Sequence, residues 1–180
     1  MSPHPNLNLN RRHCLRAGGA MGAGWLLGAL PALLPTQAQA QSVDWWSLAW
    51  PGPQGERVAA QHFLGRPLLV NFWATWCPPC VQELPLLNAF YRERRAQGWQ
   101  VLALAVDQPG AVQRFLQQRP LDFAVALAGL GGTELSRQLG NASGGLPFTA
   151  VFNAAGALVA TKSGRVHAAD LSGWAAALPA

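Results

Sequence analysis

The chain has 180 residues, and half of them are hydrophobic, so its composition excludes a disordered protein and allows one domain with a substantial core. The formal net charge is +5, but three of the 13 basic residues lie in the first 40 residues, which contain no Asp or Glu. The rest of the chain has ten basic against eight acidic residues and no Lys/Arg cluster, which argues against a nucleic-acid-binding protein.

The first 40 residues have the composition of an export signal. Arg11 and Arg12 precede an apolar stretch, residues 17–34, and Ala38-Gln39-Ala40 has the small-x-small form that signal peptidases cut. The paired arginines resemble a twin-arginine signal, with the ordinary secretory route as the alternative. We therefore predict that residues 1–40 are a cleaved signal peptide and that the mature protein is periplasmic. An uncleaved inner-membrane anchor is disfavoured, because the apolar stretch contains five glycines and one proline.

Residues 41–57 form an aromatic lead-in. It contains Trp45, Trp46 and Trp50. We predict that the indole rings of these residues pack against the domain that follows; the alternative is that they form a patch on which a partner docks. Residues 54–64 then predict a short strand and a brief helix that ends at Gly65.

The apolar run at residues 67–73 has the length and composition of a central strand that is buried on both faces. Its one polar residue, Asn71, is then expected to be buried. Residues 78–97 predict a helix, and Gly98 is its expected terminator. Two cysteines therefore fall at a junction between a buried strand and a helix.

Strands and helices alternate over the rest of the chain. Further strands are predicted at residues 99–106 and 122–128, and further helices at residues 111–118 and 133–139. The final elements are a hairpin, residues 148–153 with 157–163, and a helix, residues 168–178. The predicted fold class is α/β, with a central mixed β-sheet, helices on both faces, a β-hairpin near the end and a C-terminal helix.

Removal of the signal leaves two cysteines, Cys77 and Cys80, because Cys14 is lost with it. In an oxidising compartment a lone C-x-x-C pair is either a redox couple or part of a metal site. A zinc site normally needs two further Cys or His ligands, and the mature chain offers only His62 and His167, which are far apart in sequence. We therefore expect a redox couple and no metal.

The position of the pair at a helix start indicates which cysteine reacts first. Unpaired backbone N–H groups and the positive end of the helix dipole stabilise a thiolate there. Cys77 is therefore the candidate nucleophile, and Cys80 is the buried cysteine that resolves its mixed disulfide. Pro78 and Pro79 fit the first helical turn but remove two N–H donors, so we expect moderate thiolate stabilisation and a reducing role.

Three segments resemble the TlpA/ResA-like family of exported thioredoxin-fold thiol–disulfide oxidoreductases. They are residues 70–80 (VNFWATWCPPC), 83–85 (ELP) and 145–149 (GLPFT). The resemblance implies a thioredoxin-like domain over residues 58–180, a cis-proline at Pro147 that faces the disulfide, and a carboxyl group near the cysteines at Glu83. That carboxyl group would exchange a proton with the resolving thiol, whereas the alternative for Glu83 is a solvated position on the helix surface. Cytosolic thioredoxins usually carry Asp where Asn71 stands, and an amide cannot carry the proton.

The resemblance also implies a function. We expect a periplasmic enzyme that reduces disulfides in exported client proteins, in cytochrome c maturation or metal-centre assembly, and that a membrane electron donor rereduces. The Cys77–Cys80 disulfide is the only redox group expected, without a separate cofactor, and the protein is expected to be a monomer that meets the membrane only through its signal. Client contacts are assigned to the surface around Trp76, Leu146 and Phe148.

Two other functions remain open from the sequence. A Cu(I)-binding assembly factor or metallochaperone would use the same two thiolates, although both methionines of the chain lie in the signal. A disulfide-forming oxidase would run the exchange reaction in the opposite direction. The reduction potential separates the reductase from the oxidase.

Overall fold

The computed structural model describes residues 44–178, so the predicted signal peptide, residues 1–40, lies outside the described residues. This part of the chain contains seven β-strands, four α-helices and three short 3-10 helices. The strands are β1 (Ala49–Pro51), β2 (Arg57–Ala59), β3 (Leu68–Trp73), β4 (Gln100–Ala105), β5 (Ala124–Leu127), β6 (Phe148–Phe152) and β7 (Leu158–Ser163). The α-helices are α1 (Pro78–Arg94), α2 (Pro109–Gln118), α3 (Gly131–Gln138) and α4 (Ala168–Ala177). None of the helices within residues 44–178 combines the length and the apolar character that crossing a membrane requires.

Strands β3 to β7 form one mixed sheet in the order β5-β4-β3-β6-β7. Strand β3 pairs in parallel with β4 and antiparallel with β6, and β7 is the antiparallel hairpin partner of β6. All six residues of β3 are buried, as expected for a central strand with both faces covered. The predicted α/β architecture, with its mixed sheet, hairpin and closing helix, is confirmed.

Alternate residues of β3 enter two cores, one on each face of the sheet. Leu69 and Trp73 face the core that α1, α2 and α4 cover, while Leu68 and Phe72 face the core that α3 and the amino-terminal segment cover. Strands β3, β4 and β5 are parallel, so their carboxyl ends lie at one edge of the sheet. The chain leaves β3 at that edge and enters α1 after a four-residue connection, which places both cysteines there.

The aromatic lead-in packs against the sheet, as predicted for its indoles. Trp45 is buried and stacks on Phe152 with ring centroids 5.1 Å apart. Trp46 Nε1 donates a hydrogen bond of 2.9 Å to the carbonyl oxygen of Gly156. Strands β1 and β2 pair antiparallel in a small second sheet. Strand β1 was not predicted, because three residues are too few to show an alternating pattern.

Replacing Trp45 with leucine is expected to lower the free energy of unfolding by about 2 kcal/mol, because the smaller side chain leaves a cavity in the core. Trp76→Leu is the matched control. Trp76 is 66% exposed, so we expect its replacement to change the free energy of unfolding by less than about 0.5 kcal/mol. Urea denaturation measures both values. Equal losses in the two variants would contradict the packing role of the lead-in.

Candidate active site

Cys77 and Cys80 are joined by a disulfide at the start of α1. Cys77 is the N-cap residue, in extended backbone geometry, and its Sγ accepts a hydrogen bond of 3.3 Å from the backbone N–H of Cys80. Pro78 and Pro79 occupy the first two helical positions, where neither has an N–H group to donate. Cys80 is fully buried, and Cys77 is 4% exposed. The described structure therefore presents Cys77 Sγ with a single backbone donor.

Asp107 holds the loop that leads into Cys77. Its Oδ2 accepts hydrogen bonds from the backbone N–H and the hydroxyl of Thr75, at 2.8 and 2.6 Å. Its Oδ1 accepts a bond of 2.7 Å from the backbone N–H of Gln108. Asp107 directly follows the strand predicted at residues 99–106 and was given no role. Its position after β4, parallel to β3, is the signal that places it beside the residues after β3.

Asp107→Ala is expected to lower the free energy of unfolding of the oxidised protein by about 1–3 kcal/mol, because the partly buried donors of Thr75 lose their acceptor. Asp107→Asn keeps an acceptor oxygen and is expected to lose less than half as much. Guanidinium denaturation under oxidising conditions measures both variants against the wild type. Identical stabilities for the alanine and asparagine variants would show that the two bonds to Thr75 do not hold this loop.

Glu83 is fully buried, so the solvated alternative for this residue is wrong. It lies three residues after Cys80 on α1, a spacing that makes the two side chains neighbours on one helix face. Its Oε2 accepts a hydrogen bond of 2.7 Å from the backbone N–H of Val166, and its Oε1 accepts one of 2.7 Å from Asn71 Nδ2. Burial raises the pKa of Glu83 above its ordinary value, against the opposing effects of these two bonds and the charge of Arg165.

Asn71 is buried, as predicted, and its amide joins β3 to both α1 and β6. Besides Glu83, Asn71 Nδ2 contacts Thr149 Oγ1 at 3.1 Å. Asn71 Oδ1 is buried and has no hydrogen-bond partner among the described residues. Thr149 was quoted in the sequence motif but was given no role there. The amide therefore supplies one hydrogen bond to the Glu83 carboxyl group and carries no titrating proton of its own.

The Leu146–Pro147 peptide bond is cis, in agreement with the resemblance. Pro147 is buried, and its carbonyl oxygen accepts a hydrogen bond of 2.9 Å from the N–H of Gly164. Two residues later in the same loop, Val166 donates to Glu83. The segment between β7 and α4 thus connects the cis-proline loop to the buried carboxyl group through backbone N–H groups, which sequence patterns do not reveal.

Asn141 fixes the other side of the cis-proline loop. It is fully buried, and its Nδ2 donates to the carbonyl oxygen of Gly145 at 2.8 Å and to Ser136 Oγ at 3.1 Å. The sequence of residues 141–145 by itself indicates a flexible turn. The structure instead anchors this segment to α3 by a side-chain amide.

The three residues assigned to client contacts differ in their exposure. Trp76 is 66% exposed beside Cys77, and Leu146 is half-buried. Phe148 is fully buried, and its ring packs near that of Phe72 with centroids 5.9 Å apart. The assignment of Phe148 to the client surface is therefore wrong, because its side chain points into the core between the sheet and the amino-terminal segment.

The arrangement is suited to thiol–disulfide exchange. One cysteine lies at a helix N-terminus, which favours a thiolate after reduction. The other lies beside a carboxyl group whose raised pKa suits it to exchange protons. Residues 44–178 contain no group of three or more His, Cys, Asp or Glu side chains placed to hold a metal ion.

Sequence comparison gives a family match over most of the chain. Residues 41–178 match the family model described as Redoxin. The chain is also 36% identical over 75 residues to the thiol-disulfide oxidoreductase ResA of Bacillus thuringiensis subsp. konkukian (strain 97-27), a match that covers 41% of this chain and 43% of the relative. The chain thus spans less than half the length of the curated relatives it matches. The predicted resemblance to ResA-like proteins is confirmed.

Solved structures confirm the thioredoxin-like fold. A structure from Chlorobium tepidum, described as a candidate thiol:disulfide interchange protein DsbE, has a TM-score of 0.61 and 30% identity, covering 71% of this chain and 86% of that one. A second, a thioredoxin family protein from Chlorobium tepidum TLS described as a thiol:disulfide interchange protein, has a TM-score of 0.61 and 26% identity, covering 74% of this chain and 93% of that one.

Proposed function

The chain belongs to the redoxin family, and from that premise we propose that it is a periplasmic thiol–disulfide oxidoreductase that reduces disulfides in exported client proteins. The observation that carries the proposal is the Cys77–Cys80 disulfide at the start of α1, with the buried carboxyl group of Glu83 one turn further along the helix. The relatives named as ResA and DsbE support the same reaction class. The reduced, dithiol form of this pair carries the two electrons, so the proposed reaction needs no separate cofactor.

The reaction begins with the reduced protein. The Cys77 thiolate attacks one sulfur of the client disulfide, forming a mixed disulfide and releasing the other client sulfur as a thiolate. Cys80 then loses its proton to Glu83 and attacks Cys77 Sγ. The Cys77–client bond breaks, the second client sulfur leaves as a thiolate, and the Cys77–Cys80 disulfide forms. The client gains two electrons, which the dithiol has lost.

The start of α1 supports the reducing direction. Pro78 and Pro79 leave Cys77 Sγ with one backbone donor, from Cys80. Fewer donors stabilise the thiolate less, and a less stable reduced form makes a stronger reductant. A membrane electron donor would then have to rereduce the protein after each turnover, and Trp76 and Leu146 would contribute to the client surface.

The reduction potential tests the direction of the reaction. We expect equilibration with glutathione buffers to give a value below about −200 mV, the range of reducing proteins with this chemistry. A value near about −120 mV, typical of a strong disulfide-forming oxidant, would overturn the reducing role. Tight, stoichiometric binding of Cu(I) by the reduced protein, together with failure to reduce disulfides, would instead favour the metallochaperone alternative.

A further inference from the structure

A groove runs along one side of α1 and begins beside the disulfide. It consists of two cavities of about 430 and 340 Å³ that share Val81, Phe115 and Arg119 in their walls. The first cavity borders Trp76 and Pro78, the two neighbours of Cys77 in the sequence, and the second continues to Arg92. We call the two together the α1 groove. From Val81 to Arg92 the helix rises about 16 Å, the length of about five residues of extended peptide.

The walls of the α1 groove are apolar and basic. Val81, Leu84 and Leu121 contribute apolar side chains, and no Asp or Glu lines either cavity. The guanidinium of Arg119 lies over the ring of Phe115, 5.5 Å from its centroid. No carboxylate within residues 44–178 forms an ion pair with Arg119.

A second arginine adds positive charge at the entrance. Arg165 Nη1 donates a hydrogen bond of 3.1 Å to Gln82 Oε1, and Gln82 lines the first cavity. Arg165 likewise has no ion pair within the described part of the chain. Arg92, at the far end of the groove, is paired with Asp122. The two arginines without an ion pair, Arg119 and Arg165, therefore lie toward the end nearest the disulfide, where the carboxyl groups of Asp107 and Glu83 are engaged in hydrogen bonds within the protein.

We propose that the α1 groove binds the client segment next to the disulfide under attack, and that this segment is extended, apolar and acidic. The inference rests on the proposed function, because the client disulfide must reach Cys77 for its flanking residues to enter the groove. Apolar client side chains lose contact with water against Val81 and Leu121, which are both half-buried. A client carboxylate meets Arg119, which lines both cavities and has no ion pair within residues 44–178.

Two synthetic peptides test the proposal. Each carries one cysteine with about five residues on either side, the span of the groove, with leucines alternating with glutamates in one peptide and with lysines in the other. The cysteine is activated as a mixed disulfide with 2-nitro-5-thiobenzoate. Attack by the Cys77 thiolate on the peptide sulfur breaks that bond and releases the coloured thiolate. With reduced wild-type protein at low salt, we expect the glutamate peptide to react about tenfold faster than the lysine peptide, with the ratio falling as salt is added.

Variants locate the preference in the groove. Arg119→Gln is expected to lower the ratio of the two peptide rates about threefold, the value of one exposed ion pair. Arg114→Gln is the matched control, because Arg114 is exposed on α2, which Arg119 directly follows, and lines neither cavity. Ala89→Glu places a carboxylate in the second cavity and is expected to lower the ratio further, whereas Ala96→Glu, on the exposed segment after α1, is expected to leave it unchanged.

Reduction of 2-hydroxyethyl disulfide, which is small and uncharged, separates failure of the groove from failure of the enzyme. Wild-type protein that reduces this compound but reacts equally with both peptides would overturn the groove proposal. So would a peptide ratio that neither Arg119→Gln nor Ala89→Glu changes. Wild-type protein that fails to reduce the small disulfide would overturn the proposed function, and the groove proposal with it.

Discussion

Cys77→Ser is expected to abolish disulfide reduction, with a loss of more than about a thousandfold, because serine cannot form the thiolate on which the attack depends. Cys80→Ser is expected to behave differently. In this variant Cys77 still attacks the client disulfide, but no second thiol of the protein breaks the Cys77–client bond, so the mixed disulfide accumulates. Turbidity of insulin measures turnover, and non-reducing electrophoresis with mass spectrometry measures the trapped adduct.

The two serine variants control for each other, since both lose the disulfide and each keeps one thiol. Their free energies of unfolding are compared with that of the reduced wild type, because closing even a four-residue loop contributes about 2 kcal/mol in the chain-entropy model. Both variants are expected to remain folded and to lose similar amounts, at most about 1–3 kcal/mol relative to the reduced wild type, because each places a hydroxyl at a buried position. Turnover retained by Cys77→Ser, or an adduct formed equally by both variants, would contradict the assignment of Cys77 as the nucleophile.

The sequence was informative where local pattern decides structure. Residues 67–73 could be predicted as a central strand, because a strand covered on both faces is apolar along its whole length. The helix start at Cys77 followed from the prolines after it. The cis bond at Pro147 followed only from family resemblance, since a cis X-Pro bond is a minority state that composition does not indicate.

The parts that could not be predicted depend on contacts between distant segments. Asp107 and Thr75 are 32 residues apart, and Val166 and Glu83 are 83 residues apart. In the second pair the donor is a backbone N–H, which every residue except proline possesses, so no residue type marks it. Phe148 was misassigned for a related reason. All five residues of β6 are buried, so its pattern does not distinguish a core-facing ring from an exposed one.

Glu83→Gln is expected to slow resolution of the mixed disulfide by about a hundredfold near neutral pH, because glutamine cannot accept the proton of Cys80. The wild-type resolution rate should rise with pH as Glu83 loses its proton, in a range above the ordinary one because burial raises its pKa. The variant should lack that rise and depend only on ionisation of the Cys80 thiol. Rapid-quench measurements of the client thiol, from pH 4 to about pH 9 to span the ordinary Glu and Cys pKa values, give both profiles. Glu93→Gln, exposed on the same helix, is the matched control.

The local hydrogen bonds allow this substitution without loss of the fold. A glutamine oxygen still accepts from Val166. Its Nε2 can donate to Asn71 Oδ1 once the Asn71 amide has turned over, and the Thr149 hydroxyl, which accepted from Asn71 Nδ2, can then donate to the same oxygen. Stability then gives an independent check. The raised pKa means that folded protein binds the proton more tightly than unfolded protein, so the wild-type free energy of unfolding falls as pH rises from the ordinary Glu pKa to the raised one. The glutamine variant has no such group at residue 83 and should lack this part of the decline. If wild type and variant share both the rate profile and the stability profile, Glu83 is not the proton acceptor for Cys80.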